Sequence, residues 1–262
     1  MPDFMDPFGR KISLTTRPLK IISLVPSQTE LLYDLGLDEE VCGITKFCIH
    51  PSHWKYSKEI IGGTKKINIE RIRTIEPDLI LGNKEENEKD QIELLAHDYP
   101  TWISDVKNLE DALLMIRSVG ELTGKSNRAV EMATLIAQKF SVFMMAENPV
   151  ASAYLIWRRP YRVAASETFI NEMMKCCGLI NAFGEKSRYP EITIDQLKRS
   201  SCNIVLLSSE PYPFSEKHRI ELESQLKQTR VMLVDGEMFS WYGSRLLPAA
   251  DYLQSLRLQI QQ

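Results

Sequence analysis

The sequence predicts an α/β protein of two lobes, each a mainly parallel sheet flanked by helices, joined by one long backbone helix. Three observations predict it. Apolar strand-like runs alternate with amphipathic helical stretches along most of the 262 residues, the pattern of βα units in a parallel sheet. A long amphipathic stretch over residues 125–147 interrupts the alternation near its middle. Beyond it the order of elements restarts and one local pattern recurs. The expected divisions are an N-terminal lobe with its arm over residues 1–123, a linker helix over 124–148 and a C-terminal lobe over 149–262.

Residues 1–19 read as an arm or short hairpin that turns at Phe8-Gly9-Arg10. Residues 20–25 are an almost continuous apolar run, a buried strand that Pro26-Ser27 ends. Ser27-Gln28-Thr29-Glu30 has the spacing of a capping box, and Leu31, Leu32 and Leu35 form the buried stripe of the helix it opens. Gly36 suits the left-handed position after that helix. A strand over 41–44, a loop over 45–54, residues 59–63 leading to a loop over 64–68, and a short helix over 69–75 follow, with Pro77 after it. Then come a strand at 79–81, a polar loop at 83–86, a helix at 91–96, a strand at 101–103 and a helix at 109–122.

The linker stretch carries Ala129, Met132, Ala133, Ile136, Ala137, Phe140, Phe143 and Met144 on one helical face. Ser126 suits its N-cap, Asn148-Pro149 stops it, and its span is about 34 Å at about 1.5 Å per residue. After it, a strand at 152–157 leads to a loop or hairpin at 158–165 and a helix at 168–177 ended by Gly178. A short helix at 195–199, strands at 204–207 and 231–234, and helices at 216–225 and 244–258 complete the chain. Ile67-Asn68-Ile69-Glu70-Arg71-Ile72 before Asp78-Leu79-Ile80-Leu81 overlays Ile192-Thr193-Ile194-Asp195-Gln196-Leu197 before Asn203-Ile204-Val205-Leu206. That repeat argues for two related lobes.

Composition is that of an ordinary globular chain, and a net charge of −3 gives no general attraction to nucleic acid. No apolar run is long enough to span a bilayer. Residues 1–17 lack the charged-then-apolar pattern of a secretory signal, and no lipobox cysteine is present. The sequence as it stands is therefore expected in the cytoplasm, or in the periplasm if it is the mature form of an exported protein. Five cysteines without a CxxC suggest reduced buried thiols.

Ligands of open α/β sheets sit at loops after the carboxyl ends of strands. In the first lobe those loops hold Phe47, Cys48, His50, Lys65, Asn83, Lys84 and Glu85. In the second they hold Trp157, Arg158, Tyr189, Glu210, Tyr212, Phe239, Trp241, Tyr242 and Arg245. Aromatic rings beside arginines make flat contact surfaces, and Arg158, Arg159 and Arg245 suit a carboxylate or phosphate, against the alternative of surface salt bridges. Cys48-Ile49-His50 offers two metal donors, with His53 or Glu85 as further candidates, against the alternative of a buried loop cysteine and a surface histidine. No metal site and no catalytic residue is assigned. Walker A, GxGxxG, GxSxG and HExxH patterns are all absent from the sequence.

Lys20-Ile21-Ile22-Ser23-Leu24-Val25-Pro26-Ser27-Gln28-Thr29-Glu30, Gly43-Ile44-Thr45, Asn68-Ile69-Glu70-Arg71-Ile72 and Glu76-Pro77-Asp78-Leu79-Ile80 resemble the first lobe of the helical-backbone metal receptors. These are substrate-binding proteins of ABC importers for cobalamin, ferric siderophores and haem. The resemblance continues through residues 168–178, Tyr189-Pro190-Glu191-Ile192-Thr193 and the final loop and helix. It implies a binding protein that holds a metal chelate between its lobes and needs no cofactor. It implies a monomer that works with an ABC importer permease through an acid on each lobe, near Glu70 and near Asp195 or Glu191. Aromatic contacts of the cobalamin-binding branch fall on Phe47, Lys65 and Met238; only the first is aromatic here, with Phe239, Trp241 and Tyr242 close by in sequence. The family is normally exported, so the missing signal points to a cytoplasmic relative that binds or delivers a chelate after uptake. The rival expectation is a chelatase-like enzyme that delivers a metal from the Cys48/His50 loop. A third is a surface-interaction protein that keeps the fold without the ligand.

Overall fold

In the computed structural model, which describes residues 3–143, 148–200 and 202–261, the chain forms two compact units. The first contains Met1–Val106, Glu110–Leu135 and Tyr242–Arg245; the second contains Lys107–Leu109, Ile136–Trp241 and Leu246–Gln262. None of the helices among the described residues is long and apolar enough to cross a membrane.

The first unit opens on an antiparallel hairpin, β1 (Asp3–Met5) with β2 (Lys11–Ser13). The chain continues through β3 (Ile21–Ser23), α1 (Pro26–Asp34), β4 (Val41–Ile44), α2 (Trp54–Ser57), β5 (Glu59–Ile60) and α3 (Ile69–Ile75). β6 (Leu79–Asn83), α4 (Lys89–Asp98), β7 (Thr101–Ser104) and α5 (Leu109–Leu122) follow. The sheet is ordered β5-β4-β3-β6-β7, and every pair in it is parallel. Strands buried on both faces need unbroken apolar runs, and Ile21, Ile22, Leu79, Ile80 and Leu81 are fully buried. The chain adds β4 and β5 on one side of β3, then returns to lay β6 and β7 on the other. The loops leaving β3 and β6 therefore diverge, which makes a topological switch point.

The start of α1 differs from the capping box read in the sequence. Pro26 takes the first helical position, Val25 is the cap, and no side chain caps the helix. Proline has no N–H to satisfy there, so Ser27 and Thr29 turn into the core and Glu30 finds another partner. Gly36, at φ +75, follows the helix as expected.

α6 (Ser126–Phe140) is 15 residues long, about 22 Å at about 1.5 Å per residue, and shorter than the linker helix expected over 124–148. Its end has a local cause. The hydroxyl of Ser141 donates to the Gln138 carbonyl at 2.7 Å, and the Ser141 amide divides between the Ala137 and Gln138 carbonyls at 3.0 and 3.3 Å. Residues 144–147 of that expectation, Met144 among them, lie outside the described residues. Ala129, Ala133, Ile136 and Phe140 form the buried stripe. Gly120 on α5 lets α6 approach closely, since a Cβ there would stand 2.2 Å from that of Ala129.

The second unit runs β8 (Val150–Trp157), β9 (Tyr161–Val163), α7 (Phe169–Cys176), β10 (Leu179–Asn181), β11 (Glu191–Ile192) and α8 (Ile194–Arg199). It continues with β12 (Ile204–Ser208), α9 (Glu216–Leu226), β13 (Arg230–Val234), α10 (Glu237–Ser240) and α11 (Leu246–Ile260). β8, β12 and β13 are parallel neighbours, β9 and β11 extend the β8 side as antiparallel strands, and β10 pairs with the start of β8. The repeat seen in sequence is physical. Asn68 caps α3 by accepting the Arg71 N–H at 3.1 Å. Thr193 caps α8 by accepting the Gln196 N–H at 3.2 Å. Each helix then feeds a strand beside the first strand of its sheet, β6 beside β3 and β12 beside β8.

Candidate functional site

At the carboxyl end of the first sheet, buried amides and hydroxyls set the loop geometry. Asn83 ends β6 and is 2% exposed. Its Oδ1 accepts the Glu85 and Glu86 N–H groups at 2.8 and 3.2 Å, and its Nδ2 donates to the Ser104 hydroxyl at 3.0 Å. Gln28, fully buried at the start of α1, donates to the Gly82 carbonyl at 3.0 Å and to the Ser104 hydroxyl at 2.7 Å. Asn83 is thus the frame of the 83–88 loop rather than its outer surface. The loop is laced to the one after β5. Lys65 Nζ donates to the Glu85 carbonyl at 2.6 Å, and Asn87 Nδ2 donates to the Thr64 carbonyl at 3.1 Å. Lys84 Nζ donates to Asp105 at 3.1 Å.

These contacts bring Lys65, Asn83, Lys84 and Glu85 together. Phe47 is 51% exposed, with Lys46 Nζ 5.1 Å from its ring centre, and it packs beside Gly63 in the loop that carries Lys65. Residues 242–245 join the same unit. Gly243, at φ +105, runs so close to α1 that a Cβ would meet the Ser27 carbonyl at 3.2 Å. Tyr242 is buried, and desolvation pushes its hydroxyl well above the ordinary tyrosine range; Glu86 adds to that, while Ser27 and Ser104 oppose it.

Two expectations for this unit change. Cys48 is 1% exposed, with its thiol 3.0 Å from the Thr29 hydroxyl and 3.2 Å from that of Thr45. Burial pushes the thiol pKa up, so Cys48 is a packed core group and not a surface ligand or thiolate donor. His50 is half-buried on the same loop. Among the described residues no group of three His, Cys, Asp or Glu side chains is placed to hold a metal. Arg245 is committed to Glu30, donating from Nε at 2.9 Å and Nη2 at 2.6 Å. Burial still raises the Glu30 pKa above 4.5, against the charge and hydrogen bonds of Arg245.

In the second unit, Trp157 ends β8 and is 40% exposed. Tyr212 meets it edge-on at 5.8 Å and in turn contacts Phe214 at 4.8 Å and His218 at 5.4 Å. Arg158 donates to both Glu221 oxygens at 2.7 Å. Those bonds, with help from Tyr212, raise its pKa, so its charge is spent within the protein. The carboxylate of Glu210 accepts the Ser240 hydroxyl at 2.6 Å and the Trp241 indole N–H at 2.9 Å. Phe239 is fully buried against Tyr154, with ring centres 4.9 Å apart, and Trp241 is only 6% exposed. Both are packing groups: Phe239 lies against Tyr154 of β8, and Trp241 is tied to Glu210 in the loop after β12. Tyr189 is half-buried just before β11. Of the second lobe's expected contacts, Trp157 and Tyr212 form the one aromatic step with an open face.

Three residues escaped the sequence reading. Gln28 reads as part of a capping box and instead bridges two strands. Glu86 is exposed as a residue, yet desolvation of its carboxylate raises its pKa, with Lys65 opposing and Glu85 adding. His218 is the third helical residue after the Ser215 cap of α9, and its Nδ1 accepts the Ser215 N–H at 3.0 Å. A Ser-x-x-His spacing was the only available signal. Glu70 and Asp195 stand on the second residue of α3 and α8, both exposed; Glu70 meets Arg73 at 2.9 Å.

The family described as periplasmic binding protein matches residues 21–232. A vitamin B12-binding protein of Pectobacterium carotovorum is 26% identical over 245 residues, covering 91% of this chain and 88% of its own length. Among solved structures, the periplasmic vitamin B12-binding protein of Vibrio cholerae superposes with a TM-score of 0.79 at 20% identity, over 94% of this chain and 99% of that one. The periplasmic haem-binding protein of Roseiflexus sp. RS-1 does so with a TM-score of 0.80 at 18% identity, over 93% and 99%.

Proposed function

Since the chain belongs to the periplasmic binding protein family, we propose that it binds a metal chelate (a corrinoid, a haem or a ferric siderophore) and passes it to an ABC importer permease. The observation that carries this reading is likeness over nearly the full length to proteins named for binding vitamin B12 and haem. Each unit offers its own candidate contacts on its strand-end loops: Phe47, Lys65 and Glu86 in the first, Trp157 and Tyr212 in the second. Exposed rings give apolar area at little entropic cost, and Lys65 and Glu86 read the polar periphery. No bond is made or broken in this role. The rival chelatase reading drew its metal from the Cys48/His50 loop, where the Cys48 thiol is shut between two threonines. Glu70 and Asp195, in matching positions on α3 and α8, are the acids proposed to meet the permease.

The test is a titration of the whole chain with cyanocobalamin, haemin and ferrichrome, followed by tryptophan quenching and native mass spectrometry. One of the three should bind with a Kd of about 1 μM or tighter. Trp157→Ala should weaken that binding about tenfold while the Tm holds, because the ring is exposed and belongs to no core. If none of the three chelates binds wild-type protein, the reading fails.

A further inference from the structure

We infer that the N-terminal hairpin completes the chelate-binding surface of the first unit, with Phe8 as a contact residue that stacks on a planar conjugated macrocycle; this rests on the metal-chelate reading above. The turn between β1 and β2 is held from several directions. Asp6 N–H donates to the Arg10 carbonyl, and Gly9 N–H to the Asp6 carbonyl, both at 3.0 Å. Asp6 Oδ1 accepts the Phe8 N–H at 2.9 Å and the Arg10 N–H at 2.8 Å. Gly9 stands at φ +76, a conformation open to glycine and strained for other residues. The Asp6 side chain is 0% exposed, and Trp102 Nε1 donates to the Met5 carbonyl at 3.4 Å, tying the hairpin to β7.

A buried carboxylate is costly to desolvate, and reversing the chain does not require one. What this base holds out is Phe8, 48% exposed. Lys84 Nζ lies over the Phe8 ring, 5.3 Å from its centre. Lys84 is itself fixed: its N–H donates to the Ser104 carbonyl at 3.0 Å and its Nζ to Asp105 at 3.1 Å. It opens the 83–88 loop at the carboxyl end of β6, beside the switch point. Single exposed apolar residues are normal on a surface, but Phe8 is fixed both by its turn and by a cation at the strand-end loop. An ammonium over the ring leaves the rest of that ring to meet an apolar plane. A corrin or porphyrin offers such a plane; a compact hydroxamate chelate does not.

Wild-type protein, Phe8→Ala, Phe8→Leu and Phe8→Tyr should be titrated with haemin, cyanocobalamin and ferrichrome, with the Tm of each recorded. Phe8→Ala should weaken the macrocycle that binds by about fivefold to tenfold, Phe8→Tyr should match wild type, and ferrichrome affinity should not respond. Phe8→Leu keeps apolar bulk without a π face and should follow Phe8→Ala, even if alanine lowers the Tm. Macrocycle affinity equal to wild type in Phe8→Leu overturns the inference and leaves the chelate reading standing. Binding of ferrichrome alone by the wild type also overturns it. Failure of all three chelates on wild-type protein removes the chelate reading, and this inference with it.

Discussion

Replacing Arg245 with methionine isolates a single buried charge in the first unit. The pair it breaks has two parallel N–H···O bonds to Glu30, and the two side chains are 12% and 16% exposed. Burial outweighs the arginine, since the Glu30 pKa is raised even with Arg245 in place. The pair therefore adds little net stability, but losing one member strands the other, at a cost of about 3 kcal/mol. With an m-value of about 3 kcal/mol/M, the urea midpoint falls by about 1 M at neutral pH. The sign of the pH effect follows from linkage. A carboxyl whose folded pKa lies above its unfolded value near 4.5 destabilises the fold progressively as pH rises from there through the folded value. Without Arg245 that folded value moves higher still. The deficit against wild type should thus shrink as pH falls toward 4.5 and be full at neutral pH and above. Tryptophan fluorescence in a Trp157→Phe/Trp241→Phe background reads the first unit alone, through Trp54 and Trp102. The double variant Glu30→Gln/Arg245→Met should recover most of the loss. A midpoint shift that does not change between about pH 5 and pH 8 would refute the reasoning.

His218→Gln turns the α9 start into a Ser-x-x-Gln capping box, which needs no unprotonated imidazole. Desolvation first, then Arg158 and Lys217, depress the His218 pKa below 6.5, with Glu221 opposing. Its contribution is therefore present above 6.5 and lost as pH falls through the folded value, so the second unit's urea midpoint should decline on acidification in wild type and stay flat in the variant. Cys48 should resist a thiol reagent in native protein at a rate set by unfolding, read by peptide mass mapping; fast labelling would contradict its burial between Thr29 and Thr45. Glu70→Lys with Asp195→Lys should leave chelate affinity unchanged while lowering uptake in a reconstituted importer; unchanged uptake would remove both acids from the docking surface.

The parallel sheets were legible because their strands are apolar on both faces, as in Ile21-Ile22 and Ile204-Val205-Leu206-Leu207, and because Gly36 and Gly178 mark helix ends. The repeat around Asn68 and Thr193 was legible because helix caps have local chemistry. The short strands β10 and β11 were not, since Leu179–Asn181 and Glu191–Ile192 gain their partners only from residues far along the chain. The candidate site was less readable for the same reason. Loop position nominated Phe239, Trp241 and Cys48, but burial is a property of the folded surroundings, and all three are enclosed. Phe8 lay in plain view at a predicted turn, yet only tertiary structure sets it beside Lys84.

Residues 242–245 have a consequence for synthesis. A ribosome that has released every strand of the first sheet has still not released Tyr242, Gly243 or Arg245, which pack on α1 of that unit. Until they emerge, Glu30 has no guanidinium and the face of α1 beneath Gly243 stays wet. The N-terminal half must therefore wait, incomplete, for nearly the whole of translation, so an open reading frame cut after α6 yields a fragment that exposes apolar surface and calls on chaperones.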